Sequence, residues 1–181
     1  MVRPGLLLRI ICLAYATAYV GLSLARYHSF HGQIDLSYYV RIVWGLAHGQ
    51  YDVPLVQAPH LIGLHLEPIL LPLAALARLG VPIAPLLLVV QAVAVALLPW
   101  PVYRLARRYL DSDRPALLMA TVSLLYPTVT VATLHDFHPV TVALPLLGAW
   151  LDAMDEGAWR RALLTACWWI CPWSSPSTVC R

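Results

Sequence analysis

Charged side chains are scarce in this sequence of 181 residues: they make up 12% of it, whereas hydrophobic residues make up 60%. A soluble domain carries about 25% charged residues, so there is too little polar surface here to coat a water-soluble globule. A bilayer-embedded chain needs no such coat, and about four or five spans of roughly 20 residues fit into this length. The deficit excludes an ordinary soluble domain and predicts an integral membrane protein in contact with the lipid bilayer.

Several familiar motifs are also absent. The sequence has no lysine, a net charge of only +3 and no nucleic-acid-binding motif, which argues against a DNA or RNA partner. Its glycines form no phosphate-binding loop, and it contains neither a Ser-His-Asp arrangement nor a G-x-S-x-G elbow. The cysteine spacings fit neither a zinc knuckle nor a redox C-x-x-C pair. Any chemistry must therefore come from polar residues outside the apolar runs.

The apolar runs predict an all-α fold, namely a polytopic transmembrane helix bundle with four to five spans. The first run, Leu6–Ala25, exceeds the about 7–15 apolar residues of a signal peptide and lacks its cleavage site, so we expect an uncleaved helix. A long outer loop, residues 26–83, follows it and carries juxtamembrane helices. The predicted spans are about 6–25, 84–103, 116–133, 139–153 and 161–171.

The apolar stretch Leu64–Leu79 decides the topology, because it contains Glu67 and two prolines and is weak as a span. If it does not cross, eight arginines lie on the cytoplasmic side and three lie outside, as the positive-inside rule prefers. If it crossed, the four arginines at 104–114 would move outside and reverse that balance. We therefore predict a juxtamembrane or re-entrant helix here, and a cytoplasmic N-terminus.

The shorter outer segment reads HDFHP, which brings His135, Asp136 and His138 close together at the outer end of a helix. Histidines three residues apart can face one ligand and an acidic neighbour can join them, so a divalent metal at Asp136 and His138 is one interpretation. Catalysis or substrate binding is a second. A polar turn that anchors two helices at the lipid headgroups is a third.

The longer outer segment contains IDLSYYVRIVWGLAHGQ, which reads as an amphipathic helix at the membrane interface. Asp35 at its start is either a cap that accepts backbone N–H bonds or a functional carboxylate. Arg41 can hold an anionic group or a lipid phosphate. His65 and Glu67 either bind substrate or anchor the start of a proline-broken helix.

The end of the sequence departs from this pattern. An apolar helix begins at Ala162 but meets Pro172 well short of the ~20 residues that a span needs. Residues 167–181 also contain three of the seven tryptophans and three of the four cysteines. We expect residues 1–166 to be the N-terminal part of a polytopic membrane domain, and 167–181 to be an anomalous, out-of-frame tail on a truncated chain.

Several blocks resemble a bacterial membrane family known as domain of unknown function 2079. That family usually reads F-D-L-G, G-D-H-F-S-P and F-D-F-H-P where this chain has IDLS at 34–37, GLHLEP at 63–68 and HDFHP at 135–139. The resemblance covers roughly residues 25–165, the N-terminal part of a longer family domain. Leu64 and Glu67 stand where the family has Asp and Ser.

This family in turn resembles the polytopic glycosyltransferases of the C-type fold, which take a sugar from a polyprenyl-phosphate donor on the outer side of the membrane. The resemblance implies a bacterial inner (plasma) membrane location, with Asp35 and Asp136 matching the catalytic acids of the two outer loops. It implies Arg41, His138 or a metal held by Asp136 at the donor phosphate. The expected substrate-binding residues are Arg41, His65, Glu67, His135 and His138.

Three functions remain open: a fragment of a membrane glycosyltransferase, a non-catalytic scaffold or inactive fragment, and a transporter component. Transporters place ionisable groups within spans near the midplane, whereas the interiors of the predicted spans hold none beyond Arg9 at the inner edge. Gathering of the outer polar groups into one cavity favours an enzyme, and scattering over more than ~15 Å favours a scaffold. The cofactor is undetermined, with a divalent metal ion as the candidate.

Overall fold

The structure, a computed structural model, describes residues 3–31, 34–50 and 67–170. This part of the chain is helical and contains no strand, which confirms the all-α prediction. Its helices are α1 (Pro4–His28), α2 (Ile34–Ala47), α3 (Leu70–Arg78), α4 (Ile83–Ala96), α5 (Pro99–Tyr109), α6 (Asp113–Leu125), α7 (Pro127–Leu134), α8 (Pro139–Asp155) and α9 (Trp159–Ile170).

Among the described residues, two helical segments are by length and composition apolar enough to cross a membrane: α1, and the segment Ile83–Tyr109 that comprises α4 and α5. Helices α6 and α7 meet at an angle of 47° and add a third crossing if the pair is one broken span. These segments overlap the first three predicted spans. Crossings at 139–153 and 161–171 stay predictions, since α8 has 17 residues and α9 has 12.

Prolines mark the breaks within these segments. Just before Pro99, the N–H groups of Leu97 and Leu98 bond to carbonyls three residues back, and proline has no N–H with which to continue the helical ladder. Pro127 separates α6 from α7, because the residue before a proline avoids helical geometry and Tyr126 is extended (φ −61°, ψ 125°). Helix α7 is consequently only eight residues long, and it ends at the HDFHP turn.

Charged side chains gather at one end of the helices, here called the arginine end and defined by Arg3, Arg104, Arg108, Arg114 and Asp152. Arg3 and Arg114 line one cleft between the starts of α1 and α6. Arg104 and Arg108 lie 2.9 and 2.6 Å from the buried carboxylate of Asp152, which ties the end of α5 to the end of α8. Leaving that carboxylate unpaired would cost about 3–5 kcal/mol. The HDFHP turn precedes α8 and therefore lies at the opposite end.

Helices α2 and α3 pack on each other and on α4, and their contact forms the largest apolar core. Helix α3 has nine residues and is about 13 Å long, which is too short for a hydrocarbon core of ~30 Å. That Leu64–Leu79 does not cross stays a prediction, since residues 64–66 lie outside the described part. Phe137 of the HDFHP turn is fully buried in the same core. The core therefore holds α2 against the turn.

Candidate functional site

The HDFHP turn connects α7 to α8, and its shape follows from backbone preferences. His135 ends α7 with an extended backbone (φ −70°, ψ 173°), and His138 is extended too (φ −135°, ψ 123°). A residue before a proline avoids helical geometry, and Pro139 suits the first position of the next helix. The turn thus ends one helix and begins another, which leaves backbone groups at both helix ends without intrahelical partners.

Gln91 of α4 supplies partners for these backbone groups. Its Oε1 accepts a hydrogen bond of 2.7 Å from the N–H of His138. Its Nε2 lies 3.1 to 3.4 Å from four carbonyl oxygens of α7 and the turn, which share its two N–H donors. The side chain is fully buried. Gln91 therefore joins α4 to both sides of the turn.

The position of Gln91 also gives the depth of the turn. Gln91 lies eight residues after Ile83, where the candidate span begins, which is roughly 12 Å along the helix axis. The turn that it binds is therefore recessed among the helices rather than placed at their rim. Helix α2 packs on α4 beside it.

Asp136 is buried and holds the first turn of α2. Its Oδ2 accepts a hydrogen bond of 3.0 Å from the backbone N–H of Leu36, which is one hundred residues away in the sequence. One interpretation of the sequence makes Asp35 the residue that caps α2. In the structure, the carboxylate that accepts the N–H of Leu36 is that of Asp136. First-turn N–H groups have no intrahelical acceptor, so a carboxylate from another element can serve them.

Asp35, His135 and His138 form a cluster, in which one ligand atom from each lies within 4.8 Å of the others. Asp35 Oδ2 and His138 Nε2 are 3.3 Å apart. The Asp35 side chain is 51% exposed and that of His138 is 35% exposed, so the cluster is open to solvent. Two segments a hundred residues apart therefore form one polar site.

The contacts of His138 fix which ring nitrogen carries a proton. Its Nδ1 lies 2.8 Å from the carbonyl oxygen of Asp136, and a carbonyl can only accept, so Nδ1 is the donor. In the neutral ring, Nε2 then directs its lone pair toward the carboxylate of Asp35. Two groups that only accept repel each other at this distance, so a cation favours the arrangement (a second proton on the ring or a metal ion).

Tyr39 and Glu67 border the cluster. Tyr39 lies one helical turn after Asp35 and donates from Oη to Glu67 Oε1 at 3.3 Å, and its ring packs edge-on against Phe137 with the centroids 5.3 Å apart. Burial raises the pKa of Glu67 to about 7, although the bond from Tyr39 opposes this. Burial and the negative charge of Glu67 also raise the pKa of Tyr39. Glu67 can therefore exchange a proton near neutral pH.

Arg41 lies apart from the cluster. It lines a groove of about 540 Å³ between the end of α1, helix α2 and the start of α4, whose other walls are mostly aromatic and aliphatic. Six residues of helix separate it from Asp35, which places the two side chains roughly 120° apart around α2. Arg41 is exposed, and within the described residues it has no ion-pair partner. Arg41 therefore gives the groove a positive charge.

The predicted site residues fall into groups. Asp35, His135 and His138 form the cluster, Asp136 and Glu67 border it, Arg41 lines the groove, and His65 lies outside the described residues. The sequence predicted a metal at Asp136 and His138. In the structure His138 lies in the cluster, but Asp136 does not, and Asp35 is the carboxylate there instead. The reason is geometric, because the Asp136 carboxylate is directed to the backbone of α2.

Sequence reasoning did not find Gln91 or Tyr39. Gln91 is the only amide in the apolar run Leu86–Leu98, and a lone amide in such a run is a signal for a bond between helices. Tyr39 lies four residues after Asp35 and so shares its helix face. Both features are visible in the sequence, but neither predicts which group the side chain of Gln91 or Tyr39 contacts.

Comparisons with known proteins give a family and no activity. A family model described as "predicted membrane protein (DUF2079)" matches residues 26–170. No curated protein and no solved structure matches the chain. The matched range contains α2, Gln91, the HDFHP turn and every residue of the cluster.

Proposed function

Because the chain belongs to the DUF2079 family of predicted membrane proteins, whose description states no reaction, we propose a function from the site itself. The proposed function is transfer of a sugar from a polyprenyl-phosphate donor on the outer face of a bacterial inner membrane. It is carried by one observation, the approach of Asp35 to His138 within 3.3 Å beside a groove that contains Arg41. Catalytic groups must reach one substrate, whereas a scaffold has no need to gather them.

The sidedness of the proposal comes from the arginine end. Positive charge collects on the cytoplasmic side of membrane proteins, so this end is the proposed cytoplasmic one, with the N-terminus. The cluster at the opposite end then faces outward, where lipid-linked sugar donors are used. The long outer loop, residues 26–83, is part of the same proposal.

The groove beside α2 suits the lipid part of the donor. Trp44, Val40 and Tyr27 offer apolar walls to a polyprenyl chain, and Arg41 offers the positive charge that a phosphate requires. Arg41 is about 9 Å from Asp35 along the helix axis, so a phosphate at Arg41 leaves room for a sugar between the two residues.

Asp35 is the proposed catalytic carboxylate. Glycosyl transfer passes through an oxocarbenium-like state, and a carboxylate assists it by deprotonating the acceptor hydroxyl. Half of the Asp35 side chain is exposed, so an acceptor can reach it, and His138 holds its position from the other side. A donor phosphate that departs as an anion can be held by Arg41, which lines the groove next to the first turn of α2.

Asp136 receives a different role in this proposal. The resemblance to glycosyltransferases implies a catalytic acid here, but the Asp136 carboxylate is 5% exposed and bonded to Leu36 N–H. We infer that Asp136 positions α2, and with it Asp35, rather than contacting substrate. Glu67 is the proposed second group near the substrate, since its pKa lies close to neutral pH.

The test is donor consumption in proteoliposomes of bacterial lipid extract, with a panel of radiolabelled polyprenyl-phosphate monosaccharides. We expect Asp35→Asn to lower the rate at least ~100-fold, because removal of a catalytic base costs typically 10²–10⁴. Asp111→Asn is the matched control, since Asp111 is an exposed aspartate near the arginine end. Turnover by Asp35→Asn equal to that of Asp111→Asn would remove Asp35 from the mechanism.

A further inference from the structure

We propose that Asp35, His135 and His138 bind one divalent transition-metal ion of the zinc type, with the carboxylate oxygen and two imidazole nitrogens as ligands. The proposal deepens the proposed function by naming a cofactor of the same site. It rests on that function for its chemical purpose, but not for its geometry.

The spacing of the ligand atoms fits such an ion. Ligands that lie 2.0–2.1 Å from a tetrahedral zinc are separated from each other by about 3.3 Å. Asp35 Oδ2 and His138 Nε2 are 3.3 Å apart. The ligand atom of His135 lies within 4.8 Å of both, so a shift of its half-buried ring by roughly 1–2 Å completes the set.

The contacts of His138 suit a metal ligand. Its Nδ1–H donates to the carbonyl of Asp136, so in the neutral ring Nε2 carries the free lone pair, and this nitrogen is directed at Asp35. Histidines that bind metals almost always donate their other N–H to a carbonyl or carboxylate, because this fixes the ring and the tautomer. An ion between Nε2 and Oδ2 also replaces the repulsion of two acceptors by attraction.

The backbone that carries the ligands is fixed before any ion binds. Gln91 holds the N–H of His138, and the buried carboxylate of Asp136 holds the first turn of α2, which carries Asp35. A preformed site loses little conformational entropy on binding, which favours affinity. The Asp136 contact joins the two segments that supply the ligands, and the Gln91 contact fastens one of them, the turn, to α4.

The ligand set selects the class of ion. Two imidazoles and a carboxylate suit zinc and its first-row neighbours, whereas magnesium and calcium prefer oxygen ligands alone. Three protein ligands leave a fourth tetrahedral position, which is the arrangement of catalytic rather than structural zinc. A donor phosphate oxygen can take that position, and one ligating oxygen leaves the second oxygen of Asp35 for an acceptor hydroxyl.

The experiment is metal binding to the purified full chain in detergent after removal of metals with a chelator. We expect about one Zn²⁺ per chain by mass spectrometry, and a Co²⁺ spectrum with tetrahedral d–d bands and no thiolate charge-transfer band. Asp35→Asn and His135→Asn should each weaken Zn²⁺ binding roughly tenfold or more, because each removes one of three ligands. The matched control is His48→Asn, an exposed histidine of the same region, which should bind as the unaltered chain does.

The thermal unfolding midpoints of the metal-free variants show whether each one is folded, and only folded variants are compared. Equal binding by Asp35→Asn, His135→Asn and His48→Asn would overturn the metal site, as would a thiolate band, which assigns the ion to cysteine. Metal binding without sugar transfer upholds the site and overturns the proposed function. Sugar transfer that survives complete removal of metals overturns the ion as the cofactor of the transfer, and the proposed function stands without it.

Discussion

Replacement of Gln91 by methionine removes the bonds that hold the HDFHP turn and keeps nearly the same side-chain volume. In the variant, the N–H of His138 loses its 2.7 Å bond, and four carbonyls of α7 and the turn lose a shared donor. An unsatisfied buried backbone group costs about 1–3 kcal/mol. With the N–H and at least one carbonyl affected, we expect local destabilisation of about 3 kcal/mol.

This magnitude separates two roles for Gln91. A side-chain bond between membrane helices contributes on average about 0.6 kcal/mol, because the alternative state also finds partners. A side chain that replaces the missing backbone bonds of a recessed turn should contribute several times more. The measured loss therefore decides between an ordinary interhelical bond and the main support of the turn.

The assay is amide hydrogen exchange at His138, followed by mass spectrometry of the detergent-solubilised protein. A loss of about 3 kcal/mol speeds exchange by roughly 100-fold, at 1.4 kcal/mol per factor of ten. Val93→Ala, on an exposed face of α4, is the control and should leave exchange at the turn unchanged. If Gln91→Met speeds exchange at His138 by about threefold or less, Gln91 makes only an ordinary interhelical bond and is not the main support of the turn.

Two further changes test other parts of the fold through the thermal unfolding midpoint. Glu67 has a raised folded-state pKa of about 7, so its stabilising contribution is full below its ordinary pKa of 4.5 and is lost as the pH rises through 7. Glu67→Gln should therefore raise the thermal unfolding midpoint at pH 8, where it adds at most about 3 kcal/mol to the free energy of unfolding, and barely change it at pH 4.5. A change of the same size at both pH values would contradict this. At Gly148, an added Cβ would lie 2.9 Å from the ring of Pro101. Gly148→Ala should therefore lower the free energy of unfolding by about 1–3 kcal/mol, and the midpoint with it. Gly21→Ala is the control and should not lower it, because the space around Gly21 is open. Equal midpoints for the two alanine variants would show that α5 and α8 can separate without cost.

The all-helical membrane fold could be predicted, because the deficit of charge and the length of the apolar runs are properties of composition. The candidate spans Pro4–His28 and Ile83–Tyr109 coincide with two such runs. The assignment of Leu64–Leu79 to a helix that does not cross stays a prediction from arginine placement, which depends only on order along the chain.

The detailed contacts of the site could not be predicted, because they join residues that are distant in the sequence. The carboxylate that holds Leu36 N–H is Asp136, one hundred residues away, whereas local capping patterns point to Asp35. The contacts of Gln91 depend on how α4 crosses the turn, which no local pattern contains. The separation of Arg41 from Asp35 could be predicted from the sequence, since two side chains six residues apart on a helix lie roughly 120° apart around its axis.

The convergence of α2 with the HDFHP turn is the claim on which both proposals depend, and cross-linking measures it directly. In a chain whose four native cysteines are replaced by serine, the pair Asp35→Cys with His138→Cys is treated with a short rigid bismaleimide. We expect rapid intramolecular cross-linking of this pair, and none for His138→Cys with Asp111→Cys, since Asp111 is at the arginine end of the helices. Equal reaction of the two pairs, or no cross-link between positions 35 and 138, would contradict it.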